Sequence, residues 1–349
     1  MSATALAIVL AGAASVWQAR SHQTLAKAVH KSDPAAQDLY IRGRYLMDRL
    51  TERALHESID CFRRAIDRDP QFASAYAGLS DAHNILAQHG YIAPREGMEE
   101  ARRAAERALQ IDPALAEGHV SLAAVIEAYD WNWSAAEREY KRALELNPSL
   151  PAAHLWYGMF LRDQGRLQEA LPELRRAAEL EPFSVLTSLN LAHAYTLAGN
   201  YGAALEQARH VAEVAPDLVA AECILAHLYG TQSQTAEAEA ALARALQFSQ
   251  DDPHALAVLA RAYASQGKRD ESVRLFHRLE DLARQRYVSP FDLGTVSLVL
   301  GDEKHAVDLL EEAFRQRSAG MIFLRDANFS GGHTSPQFNL LIEKMHFAG

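Results

Sequence analysis

The chain is poor in cysteine, proline and glycine, with 2, 12 and 18 of them in 349 residues. Cys61 and Cys223 stand far apart in sequence, which excludes a disulfide framework and a zinc knuckle and leaves each as a small buried apolar group. The shortage of Pro and Gly excludes collagen-like and low-complexity chains, and a hydrophobic share of 49% excludes a wholly disordered one. Positive charge is in deficit. With 35 Lys and Arg against 45 Asp and Glu the net charge is −10, which makes the chain a poor binder of phosphate backbones. Catalytic signatures are missing too, since there is no Gly-rich phosphate loop, nucleophile elbow or paired-His zinc motif. The histidines include no pair four apart, and Glu99-Glu100 and Glu311-Glu312 read as solvated helix faces. No enzymatic activity, cofactor or metal is expected.

Long apolar runs are also absent, with one exception. Residues 1–19 carry no charged side chain, and Arg20, Lys27 and Lys31 follow. A spanning helix needs about 20 apolar residues, so this segment is expected to be a membrane anchor, with 20–35 as a linker. A cleaved signal peptide is the alternative, with Ala11-Gly12-Ala13 as small residues of the cleavage type. Cleavage would leave an exported, periplasmic chain.

What the sequence does contain is a period of 34. Ala136, Ala170, Ala204 and Ala238 are spaced by it, and Ser272 and Ala306 continue the column. Leu79-Ser80, Leu122-Ala123, Tyr157-Gly158, Leu191-Ala192, Leu225-Ala226, Leu259-Ala260 and Leu293-Gly294 form a second column. Pro70, Pro113, Pro148, Pro182 and Pro216 each close a unit. Within a unit the apolar residues follow helical spacing in two runs split by a turn such as Gln164-Gly165-Arg166 or Ala198-Gly199-Asn200. Small residues at fixed places let two antiparallel helices approach closely, and proline prevents the second helix from continuing. One such hairpin has too little core to stand alone, so neighbours must stack.

These columns resemble the tetratricopeptide repeat (TPR) family, most clearly from His154 to Pro182. The resemblance implies an all-α, right-handed superhelical solenoid of about eight helix–turn–helix units over residues 36–317. Residues 318–349 are expected to form a loop and a capping helix that covers the last apolar face, with Ser335-Pro336 opening it. Two units depart from the period. The second carries a surplus loop over His89–Gly97, and the third adds one residue near Tyr129–Ser134, where Ser134 with Glu137 reads as a capping box.

In such a solenoid the first helices of the units line a concave face. The positions that project there are Asp81, Asn84, Glu127, Arg162, His193, His227 and Arg261, the candidate groove for a protein or peptide partner. His193, His227 and Arg261 read as a polar ladder for a partner's acidic groups, stronger when the histidines are protonated. Trp131 and Trp133 read either as an exposed aromatic anchor or as a plug between helix pairs. The family's chaperone-tail binders use a Lys and Asn clamp, and no Lys occupies the matching columns. A finer resemblance rests on the apolar segment, Asp33–Tyr45 and Tyr129-Asp-Trp-Asn-Trp133. It is similar to the C-terminal part of bacterial membrane-anchored transcription regulators with a winged-helix domain and, in some, a TolB-like segment. That resemblance implies a single-pass protein of the bacterial inner membrane. Neither extra domain is found in this sequence, so no nucleic-acid binding is expected of it. The resulting expectation is a non-enzymatic, membrane-tethered scaffold, the alternatives being the sensor half of a regulator and an exported assembly factor.

Overall fold

A computed structural model describes residues 32–326 and 335–347. Among the described residues the regular structure is helical. The helices are α1 (Pro34–Met47), α2 (Glu52–Arg68), α3 (Ala73–Gln88), α4 (Pro94–Ile111), α5 (Ala116–Val125), α6 (Trp133–Leu146), α7 (Pro151–Asp163) and α8 (Leu167–Leu180). They continue as α9 (Val185–Leu197), α10 (Tyr201–Val214), α11 (Val219–Thr231), α12 (Thr235–Ser249), α13 (Pro253–Ser265), α14 (Arg269–Ala283), α15 (Pro290–Val299) and α16 (Glu303–Arg315). A 3-10 turn (Ala319–Phe323) and a last helix, α17 (Pro336–Lys344), complete the order.

Consecutive helices from α1 to α16 pack as antiparallel pairs, and each pair stacks on the next. The alanine column explains the close approach. Ala136, Ala170, Ala204, Ala238, Ser272 and Ala306 are all buried where the second helix of a pair meets the first. Gly158 does the same from the other side, because a Cβ there would lie 2.8 Å from Leu174 Cγ. The turn inside each pair passes through one left-handed residue, such as Gly165, Gly199, Gly267 or Gly301.

The two departures from the period are absorbed locally. The extra residue of the third unit is taken up by a π-helical turn, Ile126–Asp130, which extends α5 and ends at Trp131 with φ +56°. The capping box is corrected: α6 starts two residues earlier, and Asn132 caps it by accepting from the Ala135 N–H at 3.2 Å. The surplus of the second unit is a shorter loop than expected, since Pro94 already opens α4. This loop closes the molecule. Tyr91 Oη donates to Asp252 Oδ2 at 2.9 Å, and the His89 ring stacks on His254 at 4.5 Å, so the second unit touches the seventh. Arg49–Asp217 (2.9 Å) and Arg286–Glu52 (3.0 Å) tie the first unit to the later ones.

The membrane assignment is corrected. The apolar run over residues 1–19 lies outside the described residues, and no described helix is long and apolar enough to cross a membrane. The longest, α4, has 18 residues and is charged throughout its outer face, so its apolar side is one stripe shared with neighbouring helices. The single-pass inner-membrane placement therefore has no support in the structure.

Candidate functional site

The first helix of each pair places its polar residues on the inner face, where successive first helices also touch one another. Asp81 and Asn84 sit on α3, Glu127 in the π turn, Arg162 on α7, His193 on α9, His227 on α11 and Arg261 on α13. Each lies on a first helix or on the π turn that extends one, but most are not at an open surface. Asp81, Asn84, Glu127, Arg162 and Arg261 are buried, and His193 and His227 are half-buried.

Burial forces these groups to partner one another. The Ser121 hydroxyl donates to Asp81 at 2.6 Å, and the Tyr140 hydroxyl donates to Glu127 Oε2 at 2.7 Å. Arg162 Nε donates to Asp163 at 2.7 Å, while its Nη1 donates to Asn190 at 2.8 Å. Arg261 Nη1 donates to Thr295 at 3.0 Å and lies 3.6 Å from Asp292 Oδ1. Partnering is incomplete: Asn84 Nδ2 and Asp163 Oδ2 are buried without a hydrogen-bond partner.

The same burial sets the charges. Asp81 is pushed up to about 6 by loss of solvent, which its Ser121 bond only partly opposes. Glu127 is pushed up to about 8 by burial, and the nearby Asp163 carboxylate adds to that. Asp163 is raised by burial against the pull of Arg162. His227 is held below the usual histidine range by burial and by the neighbouring His193, so it is neutral near pH 7. Protonation, which would strengthen the ladder, is disfavoured at that rung.

Sequence reasoning missed Asp163, Asn190 and Asp292, which stand beside the predicted columns, and above all Asp326. Asp326 Oδ2 lies 2.8 Å from His193 Nε2 and acts electrostatically on both Arg162 and Arg261. It falls beyond the last repeat, where no period marks it. The two tryptophans are plugs. Trp133 is buried, donates from Nε1 to the Met345 carbonyl at 3.2 Å and stacks on Phe347, and Trp131 packs on Phe314 at 5.1 Å. His119 and His154, one repeat apart, make the same pair of contacts: each Nδ1 lies 2.6 Å from a glutamate and each Nε2 faces a proline carbonyl. Such duplication belongs to the repeat, not to a site. Among the described residues no group of three His, Cys, Asp or Glu could hold a metal ion.

Known proteins agree with this architecture. One tetratricopeptide repeat model matches residues 123–185 and 161–218, and a second matches 231–289. The transcriptional regulator HilA of Salmonella typhimurium is 22% identical over 144 residues, 41% of this chain and 26% of HilA. The type IV pilus assembly protein PilF of Pseudomonas aeruginosa is 33% identical over 104 residues, 29% of this chain and 40% of PilF. The chain thus spans well under half the length of these curated relatives. The human IFIT1 dimer with m7Gppp-AAAA superposes with a TM-score of 0.60 at 16% identity, over 84% of this chain and 74% of IFIT1. That likeness is one of fold.

Proposed function

Because the chain carries tetratricopeptide repeats, we propose that it is a protein-interaction adaptor that binds a protein or peptide partner along the inner face of its first helices. Binding is an equilibrium event with no covalent step. The observation that carries this reading is the series of polar residues from Asp81 to Arg261, with Asn84 Nδ2 and Asp163 Oδ2 left unpartnered. Buried polar atoms without partners are costly, by about 1–3 kcal/mol each, and a ligand that satisfied them would recover part of that. A nucleic-acid ligand is disfavoured by the same series. Asp81, Asp163 and Asp326 would face phosphates, and the net charge is −10.

The test needs a purified partner and two variants. The joint His227→Ala and Arg261→Ala change should weaken binding roughly tenfold or more, the usual cost of losing a charged hydrogen bond. Far-UV circular dichroism should stay at the wild-type value. Unchanged affinity would place the interface elsewhere.

The match to HilA favours a second reading, the signal-input part of a transcription regulator whose DNA-binding domain is not in this chain. Sequencing the transcript and the DNA upstream of residue 1 decides it. An in-frame winged-helix segment would support the reading, and an in-frame stop codon would sink it.

A further inference from the structure

The segment that follows the last repeat does not run over the surface. Arg317 donates from Nη1 to the Tyr129 carbonyl at 2.8 Å and so turns the chain back toward the third unit. From Ser318 to Leu324 every residue but Phe323 is buried. Ala319 packs with Ala87, Met98 and Ala128 from the second and third units. Gly320 lies so close to the Phe291 ring that a Cβ would collide with it. Met321, Ile322 and Leu324 enter the main core, and Asp326 ends the segment at His193. The 3-10 turn therefore lies among the first helices of the second, third and eighth units, while Asp326 reaches the fifth.

This placement matches what the inner face was built to receive. The ladder suited to a partner's carboxylate already holds one, supplied by the chain itself. We propose that residues 318–326 are a resident ligand that occupies the groove, and that the external partner is a peptide of the same chemistry. That chemistry is a small residue at the Gly320 position, then apolar side chains, then a carboxylate six residues on. This proposal rests on the adaptor reading and names its partner class. A tethered segment has an effective concentration in the millimolar range, so a free peptide of equal intrinsic affinity competes poorly until the resident is loosened. The groove is thus closed at rest, and binding is coupled to release of the segment.

The experiment uses the full chain and a fluorescent peptide with the sequence of residues 317–326. Two variants loosen the resident without touching the groove wall on the first helices that holds the carboxylate: Gly320→Val, which drives it off Phe291, and Asp326→Asn, which removes its charge. Fluorescence anisotropy should report weak binding to wild type and at least tenfold tighter binding to either variant. A peptide with Asn in place of its terminal Asp should lose that gain. Adding His193→Ala to Asp326→Asn should abolish it as well. Hydrogen exchange should rise over 318–326 in both variants and stay at the wild-type level in α7 and α9, which shows that the repeats remain folded. Equal binding to wild type and both folded variants would overturn the proposal, as would indifference to the peptide's carboxylate. Should the variants lose the protection of α7 and α9 instead, the segment is a structural plug and the proposal also fails. The adaptor reading is judged separately, since a partner sensitive to His227→Ala and Arg261→Ala would survive either failure.

Discussion

At the scale of single residues, Glu127 ties the stability of the fold to pH. The fold keeps its proton up to about pH 8, whereas the unfolded chain gives it up near 4.5. A group whose pKa is raised by folding stabilises fully below its unfolded value and loses that contribution as pH rises through the folded one. Stability should therefore fall between pH 4.5 and about 8 and level off above it, with Asp81 adding to the fall between 3.8 and about 6. Glu127→Gln removes the titration. Its amide oxygen can still accept from Tyr140, and its amide N–H₂ is suited to the nearby Asp163. The variant should be more stable than wild type at pH 8, on the order of a few kcal/mol, with a flatter dependence of melting temperature on pH. Parallel pH slopes in the two proteins would show that Glu127 ionises freely in the fold. Ala170→Asp works in the opposite sense. It buries an unpaired carboxylate at a fully buried position against α7 and should lower stability by about 3–5 kcal/mol in a urea titration.

At the scale of the helix pair, the turn carries most of the local specification. Gly165, Gly199, Gly267 and Gly301 take φ between +70° and +80° at a spacing of 34 or its multiple, and Ser233 fills the missing place at φ +59°. A Cβ at Gly199 would meet nothing within 4 Å, so the cost of Gly199→Ala is conformational alone, about 1 kcal/mol. Ser233→Gly should gain a similar amount, about 0.5–1 kcal/mol, because Ser233 is exposed and strained in the same way. Urea midpoints for the two variants should move in opposite directions; movement in one direction would mean that the turn residues act through contacts. These turns were legible in the sequence because backbone geometry repeats with the period. The alanine columns were legible for the same reason. The helix start at Trp133 was not, since an extra residue can be absorbed by a turn or by a π segment, and only packing decides between them. Nor was the burial of Asp81 or Arg162. Register gives the face on which a residue lies, but not whether something else in the chain covers that face. Asp326 stands outside the period, so no repeat-based argument could have placed it beside His193.

At the scale of the whole molecule, the contact between early and late units changes how the chain should unfold. An open repeat array behaves as a row of neighbours, and its ends can unfold separately. Here the loop after α3 joins the second unit to the seventh through the buried Tyr91 and the half-buried His89. Exposed pairs such as Arg49–Asp217 add little, about 0–1 kcal/mol each, so the link between the second and seventh units rests on that loop, while residues 318–324 separately join the eighth unit to the second and third. Tryptophan emission reports mainly on Trp131, Trp133 and Trp156 in the third and fourth units, whereas far-UV circular dichroism reports on every pair. The two probes should follow one urea transition in wild type. In a His89→Ala and Tyr91→Ala double variant the seventh pair loses this link to the second unit, and ellipticity should begin to fall at a urea concentration where the tryptophans are still native. Coincident transitions in the variant would mean that stacking along the array or the contacts of residues 318–324, and not the loop after α3, make the unfolding cooperative. Separate transitions already present in wild type would show that the closing contacts are too weak to join the two ends.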